Sequence, residues 1–439
     1  MDWRSILYSF ATENTEAMKS IYTVDSLFKE IQSICNDIIE NKKTMFSILE
    51  SMMILDVDYH NIQVMNGLEK VGFYSFTPEE QMYMLLNINS IYLYGLEPMD
   101  FGVFSKLKIG AELKKGKNGL LERGLLRSVA SDSDTAERAT TRKDRTLLSP
   151  DAFGDIFHGM TDIVSYDRIA KQVEVIKPVS IRSRELFFEQ KNLLEVERLR
   201  KLLNPERFNS IMERLKENGR RPAASCLFYG APGTGKTELA KQLAKETGRD
   251  IMIADVAKLH SSFTGDTEKN YREMFNSYRY ISKILPKVPI LLLNEADGIL
   301  GKRGDVMRQA IDKIANRVQN LLLQELEDFE GILIATTNLA DNLDPAFERR
   351  LLYKIEFLKP GIQIREKIWK SMIPDMDPQE IQILAERYTF SGGQISNIAT
   401  KRDIDYAIDG EAPGYEQMLM YCETESLQKA KETKRIGFR

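Results

Sequence analysis

Apolar positions follow two rhythms along this chain. In residues 1–127 they recur mostly at helical spacing. Thr77-Pro78-Glu79-Glu80 has the residues of a helix start, with Thr as N-cap, Pro at the first helical position and Glu at the third to close a capping box. The Met-rich apolar stretch 81–94 predicts a core helix. Residues 182–203 read as a charged amphipathic helix, and 204–218 as its helical continuation. A different rhythm follows, in which short β-rich runs at 224–229, 250–256, 289–293, 331–337 and 353–358 alternate with helical segments. Alternation of this kind predicts βαβ units and a parallel sheet. The unbroken apolarity of Ile290-Leu291-Leu292-Leu293 suits strands covered on both faces. Beyond Pro360 the strands stop, which predicts a small helical C-terminal domain.

The length of 439 residues corresponds to about two or three domains at ~150 residues each. Residues 128–149 are rich in Ser, Thr, Asp and Arg and cannot bury enough surface to fold alone, so they read as a linker. The expected organisation is a mostly helical recognition domain at 1–127, a flexible linker at 128–150, an α/β core with preceding helices at 151–359 and a helical lid at 360–439. Within the first domain a short helical stretch, then Leu120-Leu121-Glu122-Arg123-Gly124-Leu125-Leu126-Arg127, resembles the end of a winged-helix unit.

Charge narrows the possible partners. Lys and Arg total 61 against 65 Asp and Glu, a net charge of −4, which excludes a global polycation that coats nucleic acid. A local cluster of Lys106, Lys108, Lys114, Lys115 and Lys117 offers weak support for nucleic-acid contact, with a solvated loop as the other reading. No apolar run nears the ~20 residues that span a bilayer, and Met1-Asp2-Trp3-Arg4 does not open a secretion signal. A cytoplasmic protein with no membrane partner is the expectation. Three scattered cysteines and three scattered histidines give neither a disulfide framework nor a zinc site.

Gly230-Ala231-Pro232-Gly233-Thr234-Gly235-Lys236-Thr237 fits the G-x-x-x-x-G-K-[ST] phosphate loop, between a strand ending at Tyr229 and a helix opening with Glu238. The glycines let backbone N–H groups turn around phosphate oxygens, and the helix directs its positive end at the same anion. Lys236 would reach the β- and γ-phosphates, and Thr237 would place its hydroxyl on Mg²⁺. Asn294-Glu295 closes the third strand of the core. Glu295 suits the activation of a water, and Asn294 stands at the metal-side position. Thr336-Thr337-Asn338 ends the fourth strand, which brings Asn338 towards the same phosphate. An adjacent pair, Arg349 and Arg350, precedes the fifth.

With these pieces in order, the sequence resembles an AAA+ ATPase, near the branch that includes FtsH, katanin and spastin. The likeness covers roughly 182–407. It rests on the phosphate loop, the Asn294-Glu295 variant of Walker B, Asn338 as sensor 1, and 344–350 as the second region of homology. Ser391-Gly392-Gly393-Gln394-Ile395 matches a sensor 2 helix start, and Phe263-Thr264-Gly265 a first pore loop. The resemblance implies a P-loop core with strand order 5-1-4-3-2, a helical lid and a homo-oligomeric ring, usually a hexamer. It also implies ATP and Mg²⁺ as ligands, with Arg349 or Arg350 acting on a neighbouring subunit's nucleotide. Asn294 replaces the usual Asp, the arginines lack their intervening Pro-Gly, and Gln394 stands where some relatives carry the sensor 2 arginine. No protease motif and no guanine-reading Asn-Lys-x-Asp accompanies the loop. The implied function is chaperone-like remodelling, unfolding or disassembly of a protein client through the N-terminal domain and Phe263. The alternative is a nucleotide-gated scaffold, DNA-associated, in which ATP sets assembly.

Overall fold

The computed structural model describes residues 63–77, 108–129, 145–158, 169–260, 266–301, 310–338 and 343–432, with isolated positions between 80 and 100. The chain forms two compact units, Met1–Lys171 with Asn276–Pro286, and Gln172–Phe275 with Lys287–Arg439.

In the first unit, helix α1 (Gln63–Lys70) is followed by strand β1 (Met99–Asp100), α2 (Lys108–Lys115), β2 (Leu126–Val129), β3 (Arg145–Leu148) and α3 (Pro150–Phe157). The three strands pair antiparallel in the order β1-β3-β2. Thr77 and Glu80 form the expected capping box, with Thr77 N–H donating to the Glu80 carboxylate at 3.0 Å and Glu80 N–H to Thr77 Oγ1 at 3.3 Å. Tyr83, Met84, Ile88 and Ile91 are buried, as a core helix requires.

The stretch read as a linker starts and ends in paired strand, Leu126↔Leu148 through Val129↔Arg145. Leu147 and Leu148, two buried leucines closing a polar stretch, anchor the second strand. Helix α3, assigned from sequence to the α/β core, buries Phe153, Ile156 and Phe157 in the first unit. Phe153 packs edge-on against Tyr280, one of the residues 276–286 that this unit includes.

The second unit holds β4 (Glu174–Ile176), α4 (Gln190–Leu203), α5 (Pro205–Glu217), β5 (Ala223–Gly230), α6 (Lys236–Thr247), β6 (Ile251–Asp255), α7 (Asp266–Ile284, whose last turns count with the first unit), β7 (Ile290–Asn294), α8 (Ala310–Glu327), β8 (Gly331–Thr337) and β9 (Tyr353–Phe357). Its sheet runs β4-β6-β7-β8-β5-β9. Strands β5 to β9 are parallel, and counted from the phosphate-loop strand they stand in the expected order 5-1-4-3-2. The antiparallel edge strand β4 went unread because Glu174-Val175-Ile176 is only three residues long, without a full apolar run. Ala224, Cys226, Phe228, Leu292, Ile332 and Ile334 meet Leu239, Leu243, Val196 and Leu199 in one core, so both sheet and flanking helices are seated on it.

The helix expected over 182–203 starts only at Gln190. Residues 181–189 run extended because tertiary bonds outcompete the local helix. Gln242 Nε2 donates to Arg182 O at 2.8 Å, Lys245 Nζ bonds Ile181 O, Arg184 pairs with Glu238 at 3.6 Å, and the Glu189 carboxylate accepts from Gly361 N–H at 2.9 Å. Beyond Pro360 four helices follow as expected, α9 (Ile362–Met372), α10 (Pro378–Arg387), α11 (Gly392–Asp409) and α12 (Tyr415–Glu432), around a core of Trp369, Leu384, Ile395, Ile398 and Cys422.

Candidate functional site

The loop between β5 and α6 has a shape that only glycine sustains at its turning points. Gly230 has φ +132, and a Cβ there would lie 2.3 Å from Phe357 O. Gly233 and Gly235 also have positive φ, +73 and +97. The backbone N–H groups of Ala231, Gly233, Thr234 and Gly235 have no acceptor among the described residues. Four free donors facing the positive end of a twelve-residue helix form a cradle for an anion. Lys236, at 7% exposure, closes it. Its Nζ donates to Gly230 O and Ala231 O at 2.8 Å and to Asn338 Oδ1 at 2.9 Å. Burial lowers its pKa, and the nearby Asp297 charge partly offsets that.

The ends of β7 and β8 face this cradle. Thr237 Oγ1 donates to Asn294 Oδ1 at 2.7 Å, and Thr336 Oγ1 donates to the same oxygen at 3.2 Å. Glu295 is exposed and has φ +56, unusual for a residue with a Cβ. Its N–H donates to Thr336 Oγ1 at 3.1 Å, and Ala296 N–H donates to Thr336 O at 2.8 Å. These bonds hold the strained turn, so the Glu295 side chain faces the cavity rather than continuing the strand. Asp297 accepts from Thr337 Oγ1, from Asn338 N–H at 2.7 Å and from Asn338 Nδ2 at 3.2 Å.

A cavity of about 470 Å³ extends from this polar end. Its other end is apolar, with Leu186, Phe188, Pro232, Ile364, Ile368 and Met372. Gly392, Gly393, Ser396 and Asn397 of α11 complete the wall. Gly393 N–H donates to Gly233 O at 2.8 Å, so the lid helix touches the phosphate loop backbone to backbone. Sequence reasoning missed the apolar end, because it read 182–189 as helix. The Phe187-Phe188 pair in an otherwise charged stretch was the one available signal. Glu238 braces this wall from α6 through Arg184 and Gln242. Gln394 serves the capping box of α11, donating its N–H to Ser391 Oγ at 3.4 Å and accepting from Ser391 N–H at 3.1 Å.

Phosphate loop, Asn294, Glu295 and Asn338 thus come together, whereas the arginine pair lies outside this cavity. Asp344 caps the single turn Pro345–Glu348, accepting from Ala346 N–H at 2.8 Å. Arg350 is tied to its own chain: Nη1 donates to Ala346 O at 2.8 Å, Nη2 pairs with Glu327, and its carbonyl accepts from Arg221 Nη2 at 2.8 Å and Ser225 Oγ at 2.9 Å. Arg349 is exposed, and its side chain has no partner among the described residues. Phe263 lies outside the described residues.

The donor-rich loop fits polyphosphate, and the neutral oxygens of Thr237 and Asn294 fit Mg²⁺, a cation that keeps most of its shell as water and phosphate. Among the described residues no group of three His, Cys, Asp or Glu forms a dedicated metal cage. Parallel sheet, glycine loop and helix N-terminus define the class, a P-loop nucleotide-binding α/β domain with a helical lid. Residues 226–359 match the family described as "ATPase family associated with various cellular activities (AAA)", and the chain carries an AAA ATPase domain.

Three similar proteins set the range of relatives. Protein CdcH of Halobacterium salinarum is 31% identical over 211 residues, 45% of this chain and 27% of the relative. Katanin p60 ATPase-containing subunit A1 of Strongylocentrotus purpuratus is 30% identical over 225 residues, 48% of this chain and 40% of the relative. Proteasome-activating nucleotidase of Sulfurisphaera tokodaii is 31% identical over 248 residues, 54% of this chain and 60% of the relative. The chain spans less than two thirds of the length of each of them.

Proposed function

We propose that the protein hydrolyses ATP to ADP and phosphate within a homo-oligomeric ring and uses the cycle to remodel, unfold or disassemble a protein client. The carrying observation is the convergence of Lys236, Thr237, Glu295 and Asn338 on the polar end of one cavity whose other end suits a base. In this reading the loop amides and Lys236 hold the phosphates. Glu295 takes a proton from a water whose oxygen bonds to the γ-phosphorus as the bond to the bridging oxygen breaks, and ADP leaves with the electron pair. Thr237 and Asn294 would hold Mg²⁺, which would neutralise charge on the phosphates. Asn338, on the same cavity wall, fixes the attacking water beside the γ-phosphate.

Arg349 is the residue free to reach a neighbouring subunit, since Arg350 is engaged at home. Such a finger is worth about 10³–10⁵ in rate. The client reading is supported by the relatives' names, one of which is a proteasome-activating nucleotidase, and by the family likeness at Phe263. The N-terminal unit, with its β1-β3-β2 sheet and the lysines of α2, is the proposed recognition module. A nucleotide-gated scaffold, DNA-associated, is the second reading, favoured by the uncharged Asn294 at the metal position.

Subunit mixing tests the trans site. Arg349→Ala and Lys236→Ala proteins are each expected to be inactive alone and to regain part of the activity when mixed, because one mixed interface then holds an intact site. Arg350→Ala combined with Lys236→Ala should regain less, because loss of the Glu327 and Ala346 contacts loosens the turn itself. No rescue at any ratio, in assemblies shown to exchange subunits, would refute a trans arginine.

A further inference from the structure

Asn338 sits between a cation and a carboxylate. Its Oδ1 accepts from Lys236 Nζ at 2.9 Å, while its Nδ2 donates to Asp297 Oδ2 at 3.2 Å and its N–H to Asp297 Oδ1 at 2.7 Å. A side-chain amide has one accepting oxygen and one nitrogen with two hydrogens to donate, and only its partners decide which end points where. Lys236 can only donate and an ionised Asp297 can only accept, so these two groups fix the amide in one sense. Asp297 is itself held by Thr337 Oγ1 and stands at the first position of the turn Asp297–Leu300, two residues after the strained Glu295.

We propose that Asp297 is a positioning residue for the reaction: it locks Asn338 with its carbonyl oxygen facing the phosphate end and its amide hydrogens turned away. This rests on the hydrolytic reading above. Once polyphosphate draws the Lys236 ammonium to itself, Asn338 Oδ1 is left as an acceptor in the cavity that Glu295 also lines. A water between them donates one hydrogen to each, which aims its lone pair at the γ-phosphorus. Asn338 is then an acceptor that orients the nucleophile rather than a donor to the phosphate. The Asp297 charge also supports the protonated form of Lys236, so the carboxylate serves both ends of the amide. The residue carries no recognised motif role in the sequence beyond following Glu295 by two positions.

The test is a double-mutant cycle in the full chain, with Asp297→Asn, Asn338→Ala and the pair, reading kcat and KM for ATP and the Kd for ADP. Asp297→Asn keeps the shape of the side chain but can donate to Asn338 Oδ1 and turn the amide over. It is expected to lower kcat about 10- to 100-fold, the scale of one charge-assisted hydrogen bond, with KM and the ADP Kd within about twofold of the parent. Because Asp297 acts through Asn338, adding Asp297→Asn to Asn338→Ala should cost nothing further. Additive losses, an unchanged kcat, or a loss confined to KM would overturn the proposal. Thermal unfolding of each variant identifies a folding defect, and if Asp297→Asn fails to fold, Thr337→Val replaces it. That change frees Asp297 from its hydroxyl partner and should lower kcat severalfold without moving KM, and an unmoved kcat would again overturn the proposal. A parent chain that turns over no ATP sinks the hydrolytic reading with it, whereas turnover in the parent with additive losses sinks the Asp297 assignment alone.

Discussion

Lys236 shows how one residue couples burial to binding. Its ammonium is almost enclosed and is satisfied by two loop carbonyls and Asn338, acceptors that polyphosphate would replace. Burial lowers its pKa, so it loses its charge at a lower pH than a free lysine. The protonated form is the one that phosphate binds. Nucleotide affinity is therefore expected to stay level below that lowered pKa and to fall as pH rises through it, by up to about tenfold per pH unit. Binding at alkaline pH should take up a proton, which calorimetry in two buffers of different ionisation enthalpy would register. Lys236→Ala should remove the pH dependence along with most of the affinity. Asn294 belongs to the same scale. It accepts from Thr237 where a carboxylate would bring a full charge. Asn294→Asp should maintain or raise ATPase activity and shift a Mg²⁺ titration to lower concentration. A folded variant with no activity would show that the neutral amide has a task of its own.

The elements matter through where they end. Strands β5, β7 and β8 deliver the loop, the Asn294-Glu295 pair and Asn338 to one edge, because parallel strands in register finish together. This much was legible: the apolar runs at 224–229, 289–293 and 331–337 located the strands, and the polar residues just after them had to share an edge. The front wall was not legible, because nothing local makes Arg182–Glu189 extended. Four contacts from residues far along the chain do so. Likewise the strands at either end of 130–144 were hidden by their polar surroundings, and only the pairing of Leu126 with Leu148 exposes them. Helix α11 supplies the element-scale prediction. A Cβ on Gly393 would approach Gly233 Cα to 3.0 Å. Gly393→Ala should push the lid helix off the loop and weaken nucleotide binding several-fold while leaving the lid core around Trp369 intact. Comparison of nucleotide Kd with the unfolding temperature separates the two effects, and an unchanged Kd would mean that the Gly393–Gly233 bond is incidental.

At the scale of the whole molecule, the proposed functional groups divide into those that line the cavity and those that lie outside it. The cavity is lined by the loop, Glu295 and Asn338, and Arg349 lies outside it with no side-chain partner among the described residues. The adjacent arginines looked equivalent in the sequence, and the structure distinguishes them because Arg221, Ser225 and Glu327, distant in sequence, all converge on Arg350. In the proposed reading this division suits an enzyme completed by a neighbouring copy, and it would tie turnover to assembly. Everything in that picture depends on the protein being a hydrolase with Glu295 as the group that activates water. The most direct measurement is nucleotide binding and phosphate release by the full-length Glu295→Gln protein beside the parent. The account predicts ATP affinity within about threefold of the parent and phosphate release reduced by about 10²-fold or more, because only the proton acceptor has been removed. Phosphate release at the parent rate would contradict it.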